Sequence, residues 1–277
     1  MKNSSTCTIC GNESGLETKF EYAEVHRCSS CSHAFSQNIK KRVELVYNDD
    51  YFDKNWFLYP NLNLFSRIER AIHEHCGYDG SILDLGCGNG NFLKYLKGKG
   101  FKDLHGSDIV DCLLPEIQGE ISFRQSDALK LESNEKHQAI VSIANIEHID
   151  DIHGYMSKIR DLLMDGGIVA IYTINESSLI YSIANILDKL GIRFAAKQLY
   201  DPHHLNHFSI DSLAALCNKH GLELIDRKTM NYPIKSTDIF GHNFILKKVI
   251  MAWLFYQKKK FQKLINYYQV IKLSKLD

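Results

Sequence analysis

The chain has 277 residues, of which 44% are hydrophobic and 24% are charged, a composition typical of globular proteins. Its 33 basic and 33 acidic residues cancel, so no net field draws the molecule to nucleic acid or to an anionic membrane. The longest apolar run, Val249–Tyr256, is far shorter than the roughly 20 residues that a membrane span needs, and the polar start argues against a secretory signal. We expect a cytoplasmic protein with one large domain and a small additional unit.

Four of the eight cysteines form two C-x2-C pairs near the start of the chain: Cys7, Cys10, Cys28 and Cys31. Without a secretory signal this spacing indicates a metal site rather than disulfides, and four thiolates typically form a closed, structural zinc site. We predict a zinc ribbon over residues 1–36, with turn chemistry over 11–15 and a short strand at Phe20–Val25. An iron centre or metal-free thiols remain open, and either His26 or His33 could replace a thiolate.

Residues 37–80 are predicted to be a connector whose helical part packs on the following domain. Apolar residues recur at helical spacing through 61–76, which predicts a helix there. The aromatic residues around Tyr51 could fold over a bound ligand, although packing is the more common role of such a cluster.

From residue 81 onward strands and helices alternate, which predicts an α/β fold with a doubly wound, mostly parallel, seven-stranded sheet in a domain that spans 81–277. The predicted strands lie at residues 81–87, 104–109, 121–127, 137–145, 168–174, 222–230 and 267–273. The predicted helices lie at residues 91–99, 151–163, 179–190 and 209–220. Ligands bind such a sheet at the carboxyl ends of its strands, so the loops after the strands are the place to seek a site.

The most informative motif is the run Asp84-Leu85-Gly86-Cys87-Gly88-Asn89-Gly90, between the first predicted strand and its helix. Glycines at alternate positions allow a tight turn and let the backbone lie directly against a ligand. Asp108 ends the second predicted strand, where a carboxylate can accept both ribose hydroxyls, and Asp127 ends the third, where a side chain can bind an adenine edge. These features predict a nucleoside-containing cofactor without a pyrophosphate.

The run DLGCGNG, followed in order by SDI, SDA, NIEHIDD and LLMDGGIVAIYTIN, resembles class I S-adenosylmethionine-dependent methyltransferases over roughly residues 60–277. The resemblance implies S-adenosylmethionine as cofactor and an antiparallel pair of strands at the end of the chain. It also implies a set of cofactor-binding residues: Asp84, Gly86, Gly88, Gly90, Asp108, Ile109, Asp127, Ala128, Asn145 and Ile146. Those at 84–90 would hold the methionine end, those at 108–109 the ribose and adenine face, and those at 127–128 the adenine edge. Residues 145–146 would line the methyl-donor pocket.

Methyl transfer from a sulfonium is an in-line displacement, so the enzyme positions the acceptor and, where needed, removes its proton. The candidates for this catalytic role are His148, Glu147 and His203. His148 follows the methyl-donor pocket, and the ordinary pKa of a histidine, about 6.5, suits a general base. A cofactor-shaping role is the alternative, because the same EHI-type run recurs in relatives with unlike acceptors. His203, His204 and His207 could bind a metal or act on the acceptor, but ordering of their own loop is favoured.

A cysteine ribbon before this core also resembles a bacterial subgroup that includes sugar C-methyltransferases and enzymes of surface-polysaccharide or natural-product pathways. Its sugar C-methyltransferases usually carry a further C-terminal domain with catalytic residues, for which this sequence leaves no room after residue 277. We therefore expect O-methylation rather than C-methylation, on a small-molecule acceptor that is a sugar or glycan-like molecule.

Two other functions stay open at this point. An RNA methyltransferase could use the ribbon to contact nucleic acid, but the neutral charge and the lack of a basic run near the cysteines argue against it. A non-catalytic module could keep the cofactor as a structural group. The apolar, basic segment at 240–264 is expected to be an insertion between the last two strands that covers the substrate, with peripheral membrane contact as the alternative.

Overall fold

The computed structural model describes residues 4–39, 60–132, 134–230 and 268–275. The aromatic cluster around Tyr51 and the predicted insertion at 240–264 lie outside the described residues. In the described part of the chain, no helix is both long and apolar enough to cross a membrane.

The strands of the first part of the chain, which we call the cysteine ribbon (residues 4–37), form an antiparallel unit. They are β1 (Ser4–Thr6), β2 (Glu13–Lys19), β3 (Glu24–Cys28) and β4 (Ala34–Gln37). The remaining strands are β5 (Ile82–Leu85), β6 (Leu104–Asp108), β7 (Ser122–Gln125), β8 (His137–Ile143), β9 (Leu163–Ile174), β10 (Asn206–His207), β11 (Leu222–Met230) and β12 (Tyr268–Lys275).

The α-helices of the described residues are α1 (Leu62–Cys76), α2 (Asn91–Gly98), α3 (Ile152–Leu162), α4 (Leu179–Lys189), α5 (Phe194–Leu199) and α6 (Ile210–Lys219). Short 3-10 turns lie at Pro115–Ile117, Ala128–Lys130 and Ile146–His148. Side chains start several of these helices: Asn61 accepts from Leu64 N, Asp151 from Gly154 N, and Ser209 forms a reciprocal capping box with Ser212. Such caps satisfy backbone N–H groups that have no partner within the helix.

The large sheet has the strand order β11-β12-β9-β8-β5-β6-β7. The five strands β9, β8, β5, β6 and β7 run parallel to one another. β12 pairs antiparallel with both β9 and β11. The predicted α/β fold with a central parallel sheet is confirmed, and its parallel part has five strands. Helices α1 and α2 cover one face and α3 and α6 the other, so β8 and β9 are buried almost throughout.

The cysteine ribbon differs locally from the sequence prediction. The predicted strand at Phe20–Val25 straddles a hairpin bend, closed by the Phe20 N–H that donates to the carbonyl of Ala23 at 2.8 Å. β2 already begins at Glu13, inside the predicted turn. Phe20 and Ala23 are apolar because both are buried, and Phe20 packs beside Tyr200 of the larger part of the molecule. Their pattern therefore reflects packing of a bend, which strand periodicity cannot distinguish.

The cysteine ribbon shares its sheet with the larger part of the molecule. β10 pairs antiparallel with β4, with Asn206 opposite Phe35 and His207 opposite Ala34, and so becomes the fifth strand of the small sheet. Ribbon residues and residues of α6 also occupy one hydrophobic cluster. The division of the chain at residues 36 and 80 stays a prediction, since β10, from the larger part of the chain, belongs to the small sheet.

Candidate functional site

The glycine loop begins where β5 ends and is bonded to the next strand. The N–H groups of Gly86 and Cys87 both donate to the carbonyl of Ser107, at 2.8 and 3.0 Å. Gly86 has a φ of +81°, and a Cβ there would lie 2.3 Å from the Asn145 side chain. Only glycine combines this backbone conformation with so close an approach, so the loop packs directly against the Asn145 side chain at this point.

Asp84 is a buried carboxyl group below this loop. It is 2% exposed, and its Oδ1 has no hydrogen-bond partner among the described residues. Burial, with a smaller contribution from the charge of Asp108, raises the pKa of Asp84 to about 8. A buried carboxylate without a partner is costly, so this position suits a ligand that brings a positive charge. The amino group of S-adenosylmethionine fits that requirement.

Asp108, at the end of β6, connects the glycine loop to the second strand end. Its Oδ2 accepts from the N–H of Gly88 at 2.8 Å and its Oδ1 from that of Val110 at 3.2 Å. Burial raises the pKa of Asp108, against the effect of these backbone hydrogen bonds. The next side chain, Ile109, is 46% exposed and offers an apolar surface beside the carboxylate. This pairing of groups suits a ribose and an adenine ring.

Asp127 caps the short 3-10 turn after β7. Its Oδ1 accepts from the N–H of Leu129 at 2.9 Å, and Ala128 beside it is buried. A carboxylate has lone pairs on both oxygens, so the cap leaves acceptor capacity on the other oxygen. The capping role does not conflict with a contact to an adenine edge.

Asn145, just past the end of β8, is held in a network that the sequence reasoning missed. Its Nδ2 donates to the carbonyl of Leu85 and to the hydroxyl of Tyr155, both at 3.0 Å, and the Tyr155 hydroxyl lies 2.9 Å from Ser142 Oγ. Ala144 has a φ of +50°, a strained conformation for a residue with a side chain. Strained backbone at the end of a central strand, next to a buried polar network, is typical of a site that must hold one geometry.

Two of the three predicted catalytic side chains lie together, at the 3-10 turn after Asn145. Glu147 is 1% exposed and its Oε2 accepts from Thr173 Oγ1 at 2.7 Å; burial raises its pKa. His148 Nδ1 forms a hydrogen bond with the backbone carbonyl of His203 at 2.9 Å. His203, the third predicted catalytic residue, therefore contacts the turn through its backbone. The side chain that joins them is that of His204, whose ring lies 4.9 Å from that of His148.

The loop that carries these histidines is bonded on both sides. The N–H of Leu205 donates to the carbonyl of Glu147 at 2.8 Å, and Asn206 Nδ2 donates to the carbonyl of Ile149 at 2.6 Å. His207 Nε2 lies 3.2 Å from Ser36 Oγ in the cysteine ribbon, and burial lowers the pKa of His207 to about 3. The loop therefore links the 3-10 turn at Ile146–His148 with the ribbon.

The four cysteines of the ribbon lie together: Cys7, Cys10, Cys28 and Cys31. Every Sγ lies within 4.8 Å of the others, and two pairs are 3.5 and 3.4 Å apart. Four thiolates around one zinc ion would be about 3.8 Å apart at a Zn–S distance of about 2.3 Å. Ile9 N and Ser30 N each donate to a cysteine Sγ at 3.4 Å, and Gly11 and Ser32 turn the chain with positive φ after each pair. The side chains fit a closed tetrahedral metal site.

Neither histidine of the ribbon belongs to this group of sulfurs. His33 is fully buried, and its Nε2 lies 3.2 Å from Asn206 Oδ1 while its ring packs against Phe208 at 4.9 Å. His26 is also buried, beside Phe35. His33 thus fills the contact between the ribbon and the larger part of the molecule, His26 packs within the ribbon, and neither belongs to the group of four sulfurs.

The strand order and the position of the glycine loop define the class of protein. A family model described as a methyltransferase domain matches residues 60–227, more than half of the chain. The chain belongs to this family and has the class I fold of the S-adenosylmethionine-dependent methyltransferases.

Comparison with individual proteins gives the same class. The ubiquinone biosynthesis O-methyltransferase of Dinoroseobacter shibae is 28% identical over 157 residues, which cover 54% of this chain and 62% of that protein. The chain thus matches less than two thirds of the length of this relative. A methyltransferase structure from Archaeoglobus fulgidus has a TM-score of 0.56 at 20% identity, with 82% of this chain and 100% of that chain covered.

A second structure with the same fold is that of 1,6-didemethyltoxoflavin-N1-methyltransferase from Burkholderia thailandensis, which contains S-adenosylhomocysteine. Its TM-score is 0.53 at 15% identity, with 83% of this chain and 82% of that chain covered. At these identities the solved structures show the fold alone.

Proposed function

We propose that this chain transfers a methyl group from S-adenosylmethionine to a hydroxyl group of a small-molecule acceptor. The observation that carries the proposal is the buried, unpartnered Oδ1 of Asp84 below the glycine loop. A cofactor whose amino group is positively charged supplies the missing partner. The relatives that are named O-methyltransferases favour oxygen as the acceptor atom.

In this proposal, the predicted cofactor-binding residues contact successive parts of the cofactor. Asp84 accepts from the amino group, and the glycine backbone lies against the methionine end. Asp108 accepts from the ribose hydroxyls, with Ile109 against the adenine face and Asp127 at the adenine edge. Asn145 and its neighbour Ile146 close the methyl-donor end.

We propose that the 3-10 turn after Asn145 activates the acceptor. A backbone carbonyl only accepts hydrogen bonds, so the contact between His203 O and His148 Nδ1 places the imidazole proton on Nδ1. The lone pair of His148 then lies on Nε2, where it can assist loss of the acceptor proton. Glu147 lies beside it, and His203 is a positioning residue that acts through its carbonyl.

The acceptor itself is proposed on different grounds. The ribbon-plus-core layout favours a sugar or glycan-like molecule, whereas the names of the relatives indicate a molecule of ubiquinone biosynthesis and give no support to carbohydrate. Incubation of the protein with S-adenosylmethionine and a panel of both classes, followed by mass spectrometry, separates them. We expect S-adenosylhomocysteine and an acceptor heavier by one methyl group, in one class only.

The variant that tests this proposal is Asp84→Asn, which keeps the side-chain shape and removes the charge. It should bind the cofactor weakly and give no product. Retention of full cofactor affinity in Asp84→Asn, measured by calorimetry, would contradict the proposal.

We further propose that the four cysteines hold a structural zinc ion. Four protein ligands leave no coordination position for a water or a substrate, so catalysis by this metal is not expected. Its effect is to fix the ribbon against the larger part of the molecule, where Lys219 Nζ donates to the carbonyl of Ile9 at 2.8 Å. The ribbon thereby supports the loop that carries His203 and His204.

A further inference from the structure

We infer a second metal site, formed by the side chains of Glu147, His148 and His204. One ligand atom from each residue lies within 4.8 Å of the other two. Two ligands of one transition-metal ion, each about 2.1 Å from it, are at most about 4.2 Å apart. Small side-chain shifts therefore bring the three atoms around a single cation. The group is separate from the four cysteines.

His148 is already held as a metal-binding histidine usually is. Its Nδ1 donates to the carbonyl of His203 at 2.9 Å, which leaves the lone pair on Nε2. Histidine ligands ordinarily donate their other ring N–H to a carbonyl or a carboxylate, and this fixes both tautomer and ring orientation. The hydrogen bond to His203 thus orients His148 for coordination.

Glu147 supplies the negative charge of the site. It is almost fully buried, and Thr173 Oγ1 donates to its Oε2 at 2.7 Å. Among the residues that the structure describes, it forms no ion pair with a lysine or an arginine. A buried carboxylate needs a compensating positive charge, which a metal ion would provide.

His204 completes the group from the opposite loop. Its Nδ1 is buried and has no hydrogen-bond partner within the described ranges. The loop that carries His204 is held next to the 3-10 turn at Ile146–His148, because the N–H of Leu205 donates a hydrogen bond to the carbonyl of Glu147 at 2.8 Å. Hydrogen bonds account for the other groups of this cluster but not for His204 Nδ1. This buried nitrogen lies in one cluster with a carboxylate and a second imidazole and has no partner among the described residues.

The donor set selects the kind of ion. Two imidazoles and one carboxylate suit divalent transition metals such as zinc, manganese or iron, whereas calcium and magnesium prefer oxygen ligands. Three protein ligands leave coordination positions open, unlike the four cysteines. The site comes directly after Asn145, whose side chain donates to the carbonyl of Leu85 at the start of the glycine loop.

The role of this ion rests on the proposed function, although its binding does not. A bound hydroxyl acceptor would have a lowered pKa. Its O–H bond would break and its proton would pass to solvent, because the Nε2 lone pair of His148 is then on the metal and no longer serves as the base proposed for the metal-free site. The oxygen would attack the methyl carbon. The O–CH3 bond forms as the S–CH3 bond breaks, and the sulfonium becomes the neutral thioether of S-adenosylhomocysteine.

The test uses the full chain, stripped of metal and titrated with Co2+, which gives thiolate charge-transfer bands only at the cysteines. We expect two bound equivalents, one with and one without these bands. Glu147→Gln and His204→Asn should each lose the equivalent without thiolate bands and keep the other. His73→Asn, in the last turn of α1 and away from the site, should keep both.

A wild-type chain that binds one equivalent, entirely at thiolates, would overturn the inference. So would variants at Glu147 and His204 that both keep two equivalents. Calorimetry with S-adenosylhomocysteine separates this result from the proposed function. Cofactor binding and methyl transfer without the second equivalent would refute only the metal site, whereas a second equivalent without any cofactor binding would refute only the proposed function.

Discussion

Asp84 shows how a single residue can couple cofactor binding to stability. Its carboxyl group has an ordinary pKa of 3.8 and a pKa of about 8 in the folded chain without cofactor. The folded chain therefore keeps a proton that the unfolded chain has lost across this range. Asp84 therefore weakens the cofactor-free protein, and we expect a bound cation to relieve that cost.

We predict that the free energy of unfolding of the cofactor-free protein falls as pH rises from about 4 to 8, by up to about 1.4 kcal/mol per unit through Asp84 alone. The contribution is complete below the unfolded pKa of 3.8 and is lost as pH rises through the folded pKa of about 8. Urea unfolding of the wild type and of Asp84→Asn at several pH values isolates it by difference. A difference that does not change with pH would contradict the argument.

The buried hydroxyl of Tyr155 supports Asn145 from below the site. We predict that Tyr155→Phe lowers the free energy of unfolding by about 1–3 kcal/mol, because Ser142 and Asn145 each lose a buried partner. Affinity for S-adenosylhomocysteine should fall roughly three- to tenfold, the equivalent of about one hydrogen bond. Calorimetry measures the affinity and urea unfolding the stability.

The control for Tyr155→Phe is Tyr181→Phe. It removes a buried hydroxyl that donates to the carbonyl of Leu199, away from the glycine loop. It should cost stability without loss of affinity. Equal loss of affinity in both variants would mean that the effect is general loosening rather than support of Asn145.

At the level of elements, the contact between β3 and the segment after β9 depends on a buried ion pair. Arg27 donates to the carboxylate of Glu176, which is 5% exposed and also accepts from the hydroxyl of Tyr200 at 3.2 Å. A buried pair adds little net stability, but removal of one partner leaves an uncompensated charge.

We predict that Arg27→Met destabilises the protein by about 3–5 kcal/mol, because the Glu176 carboxylate is left buried and unpaired. The double variant Arg27→Met, Glu176→Leu should regain most of that loss, except for the part due to Glu17, to which Arg27 Nε also donates at 2.8 Å. A double-mutant cycle by urea unfolding measures the coupling. If the double variant is as unstable as the single one, the ion pair is not the cause.

The positions of the glycine loop and of the strand-end aspartates could be predicted because their signals are local. Glycines at fixed positions and aspartates at strand ends follow directly from the strand that precedes them, and Asp84, Gly86 and Asp108 lie where they were expected. His204 and Tyr155 could not be assigned their neighbours, since their contacts join segments far apart in sequence. β10 has two residues and no pattern of its own, so only the partner strand β4 reveals it.

The whole molecule should respond as one unit to removal of the zinc ion proposed for the ribbon. Cysteines 7 and 28 share a hydrophobic cluster with Phe208, Leu213 and Leu216 of the larger part. We predict that chelation of the metal lowers the melting temperature of the entire chain and keeps a single unfolding transition, followed by circular dichroism. Return of the metal should restore it. Two separate transitions, the lower one alone sensitive to chelator, would show that the ribbon is independent.

The pairing of β10 with β4 of the ribbon has a consequence for the synthesis of the protein. Ser36 and its partner His207 are 171 residues apart, so the first sheet of the chain cannot be completed until most of the protein has been made. At about 5–20 residues per second, that interval is roughly 10–30 s on the ribosome. During it, the edge of β4 is exposed to any other strand. The earliest-made unit of the protein is therefore among the last to be closed.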